Sequence, residues 1–284
     1  MPIRTSAVGM QTEDYPSEIT VRQCHAFAAA LGETSDVYFD DARPDGIIAV
    51  PSMTVTLEWP PSRDIRTMAG FGATSAELLR GVHAAQDSHF FKLIRPGDRL
   101  TSKGRLIAIE RITPGTRVII RFDVADECGD AVVTSFSTVI YRGVETKGED
   151  TVFETSPPWP NEVSPQSWNE TSIPISRQMP HVYSECADLW NPIHTERRVA
   201  LEAGLPDIIL HGTCTWALAA KEVVANYLNG DPTRLARFVG RFTGMVIPGD
   251  AIKIRHGLVE GGAQVEVIGF DGSSAMSRGH AVFR

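Results

Sequence analysis

Residues 186 to 219 read CADLWNPIHTERRVALEAGLPDIILHGTCTWALA. The stretch opens with an Asn-Pro-x-His motif that ends at His194, and His211-Gly212 then precedes a largely apolar run. A helix that is apolar around most of its circumference is a buried one, so the run predicts a central helix over 212–228. Proline at position 192 ends any preceding helix, and we expect the loop that follows it to present His194.

The two halves of the chain resemble each other. Pro-Gly-Asp occurs at 96–98 and again at 248–250, and residues 23–40 align with residues 179–196 at nearly the same spacing. In that alignment Tyr38 stands where the second half has His194. Repeated order at fixed spacing indicates a duplicated unit. We therefore predict an N-terminal unit over 1–144, a proline-rich linker over 145–170 and a C-terminal unit over 171–284.

In both halves a helical stretch is followed by strands with turn residues between them. The pattern predicts strands over 105–112, 116–125 and 131–141 in the first half, and over 251–260, 263–270 and 274–283 in the second. A buried helix followed by consecutive antiparallel strands is typical of a sheet that curls around a helix. The expected fold class is α+β.

The composition of the chain indicates a globular protein and disfavours several kinds of partner. The 284 residues are 42% hydrophobic and carry a net charge of −8, which disfavours nucleic acid as a partner. The sequence contains no signal peptide and no apolar run long enough to span a membrane, so we expect a cytoplasmic protein with no membrane partner. The cysteines are scattered, which predicts reduced thiols and no metal site.

From 183 to 228 the chain resembles the hydratase motif of MaoC-like dehydratases, also called (R)-specific enoyl-CoA hydratases or hydratase 2. The residues that match the motif are Asn191, Pro192, His194, Ala200, Gly204, His211 and Gly212. The resemblance implies a double hotdog fold, with two antiparallel sheets each wrapped around a central helix, an intrachain pseudo-dimer and a degenerate N-terminal half. It also implies a hydro-lyase of fatty acid metabolism that reversibly adds water to a trans-2-enoyl thioester and gives a 3-hydroxyacyl thioester. No cofactor is expected beyond the coenzyme A or acyl carrier that bears the substrate.

The resemblance assigns catalytic roles that the chemistry of the side chains supports. His194 would activate water as a base, and the Gly212 N–H at a helix start would stabilise the enolate oxygen. Asn191 would orient the water. The family's aspartate stands five residues before the histidine, where this chain has Leu189. Asp188 is the candidate acid, although a one-residue step on a helix rotates a side chain by about 100°.

Four further residues are candidates for substrate binding: His211, Trp190, Arg197 and Arg237. The arginines could pair with the phosphates of coenzyme A. Two alternatives stay open, because the acid is displaced. The chain could be a non-catalytic or accessory acyl-CoA-binding double hotdog, or a dehydratase or isomerase of an unusual polyketide-like substrate. We expect a homo-oligomer such as a dimer, or a hetero-oligomer with another hotdog subunit.

Overall fold

The computed structural model describes residues 2–284. Its helices are α1 (Val21–Ala30), α2 (Asp36–Phe39), α3 (Thr54–Thr67), α4 (Ser75–Leu78), α5 (Met179–Cys186), α6 (Arg197–Glu202) and α7 (Gly212–Tyr227). Its strands are β1 (Ile3–Arg4), β2 (Tyr15–Glu18), β3 (Gly81–Phe90), β4 (Arg99–Ile112), β5 (Gly115–Asp126), β6 (Ala131–Arg142), β7 (Thr146–Lys147), β8 (Thr151–Val152), β9 (Asn169–Pro174), β10 (Leu235–Phe242), β11 (Ala251–Val259), β12 (Gly262–Ile268) and β13 (Ser274–Phe283). None of these helices combines the length and the apolar character that a membrane crossing requires.

The main sheet is antiparallel and runs through both halves of the chain. Its strand order is β2-β4-β5-β6-β3-β10-β13-β12-β11-β9, with β8 paired to β4. Strands β3 and β10 pair from Ala85 opposite Arg241 to His89 opposite Arg237. The two sheets of the expected double hotdog are thus joined edge to edge. The junction satisfies backbone groups that two separate sheets would leave exposed at their edges.

Each half of the sheet holds one long helix. Helix α7 lies against β10 to β13 and buries Trp216 and Leu218 almost completely, which confirms the predicted central helix. Helix α3 lies against β4 and β5 in the first half. Pro60 and Pro61 lie inside α3, so the sequence of this helix does not look helical. The six predicted strands correspond to β4, β5, β6, β11, β12 and β13.

The two Pro-Gly-Asp turns have the same structure, as a duplicated unit requires. The Gly97 N–H donates to Ile19 O at 2.7 Å, and the Gly249 N–H donates to Ile175 O at 2.7 Å. Both glycines have positive φ angles, 91° and 116°, a conformation that side chains with a Cβ disfavour. The matching backbone bonds support the internal repeat.

Contacts between the halves involve more than the sheet. Phe27 of α1 packs on Tyr183 of α5 with ring centroids 5.8 Å apart. Lys221 of α7 donates to the carbonyls of Leu31 and Gly32, at 3.0 and 2.6 Å, just after α1 ends. A cation near a helix C-terminus is favourable, so this contact ties the first half to the central helix of the second.

Part of the proline-rich segment pairs with the first half of the chain. Strand β7 pairs with β1, and β8 pairs with β4. Strand β9 then begins the second half by pairing with β11. Between β8 and β9 the segment has no regular element. The exact domain boundaries stay a prediction.

Candidate active site

A cavity of about 420 Å³ is lined by both halves of the chain. The second half contributes the loop between α5 and α6, the loop before α7 and the first turn of α7. The first half contributes α3, β3 and parts of β5 and β6. Four of the predicted site residues line the cavity: Asn191, His194, His211 and Gly212.

The ring of His194 is held in one orientation by the backbone. Its Nδ1 lies 2.8 Å from the carbonyl oxygen of Ile209, and the residue is 8% exposed. Because a carbonyl can only accept, Nδ1 carries the proton and Nε2 keeps its lone pair. Burial lowers the pKa of His194 to about 4, so the imidazole is neutral at pH 7. This is the protonation state that a general base needs.

A second histidine fixes the other side of this ring. His211 stacks on His194 with ring centroids 3.7 Å apart, and its Nε2 lies 3.1 Å from Ser184 Oγ. Burial, followed by the neighbouring His194, lowers the pKa of His211 well below its usual value. His211 therefore lines the cavity as a neutral ring that packs on the candidate base.

Gly212 is the first residue of α7, and its amide lies at the positive end of that helix. His211 O accepts from the N–H groups of Cys214 and Thr215, at 3.0 and 3.1 Å. The N–H groups of Gly212 and Thr213 have no protein acceptor anywhere in residues 2–284. A Cβ at position 212 would contact the ring of Phe242 at 3.4 Å. The free amide can donate to a ligand oxygen in the cavity.

Asn191 caps the 3-10 turn that carries His194. Its Oδ1 accepts from the Ile193 N–H at 3.5 Å, which leaves the amide nitrogen without a protein partner within the described chain. Pro192 is the first residue of that turn, as its fixed φ favours. The side-chain amide of Asn191 can therefore orient a small polar ligand near the histidine.

The residue at the position of the family's acid is apolar. Leu189 is 7% exposed and lines the cavity. Asp188 is exposed, lies outside the cavity lining and has a φ of 47°. This left-handed residue follows the end of α5, where the chain turns. Glu185, the other carboxylate near this position, lies on α5 and is exposed as well. The structure does not bring Asp188 to the other candidate catalytic residues.

The structure also keeps three of the candidate binding residues out of the cavity lining. Trp190 is 49% exposed, and the exposed Arg197 pairs with Asp207 at 3.3 Å. Arg237 makes a bidentate ion pair with Asp87, at 2.8 and 2.7 Å, across the β3–β10 junction. Its guanidinium therefore joins the two halves of the sheet and does not face a ligand.

Two arginines that the sequence did not single out line the cavity instead. Arg142 ends β6 and is exposed, and Arg66 lies near the end of α3. Neither forms an ion pair within residues 2–284. The first half also contributes Glu58 and Gln86 to the cavity. No local motif marks these residues, because they meet only when α3 and β3 pack together.

Models of two families match the chain, one in each half. Residues 6–135 match the FAS1-like dehydratase domain region, and residues 164–269 match the MaoC-like domain. The cavity lies between these two matched segments.

Curated relatives include two Mycobacterium tuberculosis proteins. Enoyl-CoA hydratase ChsH3 is 30% identical over 49% of this chain and 52% of its own length. The 3-hydroxyacyl-thioester dehydratase Y is 26% identical over 97% of this chain and 95% of its own length. The chain spans about half the length of the first of these, and 5% and 4% of two fungal fatty acid synthase beta subunits.

Solved structures show the same fold. A MaoC-like dehydratase from Phytophthora capsici has a TM-score of 0.84 and 21% identity, covering 99% of this chain and 97% of that one. A Mycobacterium tuberculosis protein described as a double hotdog has a TM-score of 0.63 and 12% identity, covering 98% of this chain and 96% of that one. The fold is therefore that of the double hotdog proteins.

Proposed function

We propose that the chain, whose second half matches the MaoC-like domain and whose first half matches the FAS1-like dehydratase domain region, reversibly adds water to a trans-2-enoyl thioester and forms the 3-hydroxyacyl thioester. The observation that carries the proposal is a neutral histidine and a free helix-start amide facing one cavity. The histidine is His194 and the amide belongs to Gly212.

In this proposal Nε2 of His194 takes a proton from water while the water oxygen bonds to the β-carbon. The Gly212 N–H donates to the thioester oxygen, which becomes negative as the enolate forms. The imidazolium then returns its proton to the α-carbon, so that H and OH have been added in total. A single base performs both transfers, which is consistent with Leu189 in the place of the family's acid.

The carrier part of the substrate is assigned to the arginines of the cavity. Arg66 and Arg142 can pair with phosphate groups, since guanidinium groups bind phosphate in a bidentate manner. Replacing Arg66 or Arg142 with alanine should then raise KM more than it lowers kcat. Whether the carrier is coenzyme A or an acyl carrier protein follows from comparing the two thioesters of the same acyl group.

The test is hydration of trans-2-enoyl-CoAs of graded length by the purified chain. We expect loss of the enoyl absorbance, appearance of the 3-hydroxyacyl thioester by mass spectrometry and no release of free thiol. Release of thiol without hydration would indicate a thioesterase. Absence of hydration for every chain length and carrier would overturn the proposal.

The apolar residue at position 189 also favours a second candidate, a non-catalytic double hotdog that binds acyl thioesters or accompanies an active hotdog subunit. It predicts binding without turnover by the chain alone, and activity only when a second subunit is present.

Sedimentation of the purified chain also tests the expected homo-oligomer.

A further inference from the structure

The cavity has a second polar region, on the wall that comes from the first half of the chain. Glu58 of α3 is 5% exposed, and its Oε1 accepts from Thr54 Oγ at 2.9 Å. Its Oε2 accepts from Gln86 Nε2 of β3 at 2.9 Å. Gln86 also donates to Ser88 Oγ at 3.1 Å, and Ser88 Oγ accepts from Ser135 Oγ at 2.8 Å. We call these five residues the Glu58 cluster.

The carboxyl group of this cluster has no cation beside it. Within the described chain no lysine, arginine or histidine forms an ion pair with Glu58. Burial raises its pKa, and the hydrogen-bonding hydroxyl and amide groups around it oppose that shift. A buried carboxyl without a counter-ion is costly to keep, and each of its oxygens has one protein donor and further acceptor capacity that a ligand in the cavity can use.

A second polar pair lies on the same wall. His83 of β3 lines the cavity, and its Nε2 lies 3.0 Å from Ser137 Oγ, which lines it too. The ring of His83 packs on Phe242, with centroids 4.9 Å apart, and Phe242 borders Gly212. The polar wall therefore begins next to the candidate oxyanion site and continues to Glu58. The proposed water addition uses neither His83 nor the Glu58 cluster.

A plain alkyl chain is a poor match for this wall. It would displace water from Glu58 and Gln86 without replacing the lost hydrogen bonds, and buried polar groups without partners are destabilising. A hydroxyl group both donates and accepts, so it can bond to a carboxyl in either protonation state. We propose that the acyl chain of the substrate carries a hydroxyl group that hydrogen-bonds to Glu58, an inference that rests on the proposed acyl-thioester function.

Binding of saturated acyl-CoAs tests this without any turnover. Isothermal titration calorimetry would compare a plain chain with chains of equal length that carry a hydroxyl at successive carbons beyond C3, because the 3-hydroxy isomer is itself the product of the proposed hydration. We expect one hydroxy isomer to bind at least about 10-fold more tightly than the plain chain, the effect of one buried hydrogen bond. Dissociation constants within about 2-fold for all isomers, or tighter binding of the plain chain, would overturn the inference.

The variant Glu58→Leu should abolish the preference and raise kcat/KM for the plain enoyl chain. Glu185→Leu is the matched control, because it removes an exposed carboxylate outside the cavity and should keep the wild-type preference. If Glu58→Leu instead lowers kcat on the plain chain as far as a His194 substitution does, Glu58 takes part in the chemistry and the inference is wrong.

The two proposals fail in distinguishable ways. A hydroxyl preference in binding without any hydration would contradict the hydratase proposal alone. Hydration of enoyl-CoAs with no hydroxyl preference in binding would contradict the hydroxyl inference alone. If the wild-type protein binds neither acyl-CoA nor the corresponding acyl carrier protein thioesters, both are wrong. A variant that fails to fold leaves the wild-type binding series as the deciding measurement.

Discussion

Replacing His194 with asparagine separates the base from the structural role of the same side chain. In asparagine the amide nitrogen occupies nearly the position of the imidazole Nδ1, since both atoms are bonded to Cγ. It can therefore keep donating to Ile209 O, which now accepts at 2.8 Å. The variant loses the lone pair of Nε2 and the stacking of the ring on His211. An alanine would also lose the bond to Ile209 O.

The expected losses of kcat/KM and of unfolding free energy follow from the two roles of His194, as a base and as a structural side chain. Loss of a general base lowers kcat/KM by about 10²–10⁴-fold, or roughly 3–5 kcal/mol of transition-state free energy. The variant keeps the bond to Ile209 O but loses the stacking of His194 on His211, so we expect a loss of about 1 kcal/mol of unfolding free energy. That corresponds to a fall in Tm of roughly 2–4 °C. His194→Ala also leaves the carbonyl unpaired and should be about 1–3 kcal/mol less stable than wild type.

The assay is hydration of the best enoyl thioester, with the folded fraction of each variant measured by circular dichroism. His181→Asn is the control, because His181 makes the same type of contact, from its Nε2 to Thr195 O at 3.1 Å, but is exposed and outside the cavity. It should retain wild-type kcat/KM. A His194→Asn protein with kcat/KM within tenfold of wild type, at equal folded fraction, would refute the role of His194 as the base.

Three further outcomes are expected. Arg237→Ala should lower the unfolding free energy by about 3–5 kcal/mol, because it removes the guanidinium from the buried Asp87 and leaves only His89, at 3.3 Å, beside that carboxylate; a urea melt that matches wild type would contradict this. Arg197→Ala, which removes an exposed ion pair, should change stability by less than about 1 kcal/mol and leave KM as it was, as steady-state kinetics will check. The low pKa of His194 should keep kcat/KM flat from pH 8 to about 5.5, and a decline centred near pH 6.5 would contradict it.

The same pKa sets the direction of acid unfolding. Unfolded histidine binds a proton near pH 6.5, whereas folded His194 does so only near pH 4, so the unfolded chain binds more protons between those values. The stability of the folded state should therefore fall as the pH drops from 6.5 to 4, by up to roughly 3 kcal/mol from this one group. Tm measured across that range in wild type and in His194→Asn, which lacks the titrating ring, isolates the contribution.

The sequence predicted the features that depend on short-range spacing or periodicity. The apolar periodicity after Gly212 determines α7, and the Asn-Pro-x-His spacing determines the turn that presents His194. The paired Pro-Gly-Asp turns revealed the duplication, because each turn is defined by a few adjacent residues. The sequence also showed that the family's aspartate is replaced by Leu189, because comparison with the motif reveals a shift of one residue.

Only the tertiary structure decided which distant residues meet. Arg237 and Asp87 are 150 residues apart in the chain, and no local pattern predicts that one neutralises the other. Helix α3 forms in spite of two internal prolines because packing on β4 and β5 outweighs local propensity, and it carries Glu58 into the cavity. Secondary structure and turns depend on residues that are neighbours along the chain. Ion pairs and the lining of the cavity depend on tertiary packing, which brings together residues that are far apart in the sequence.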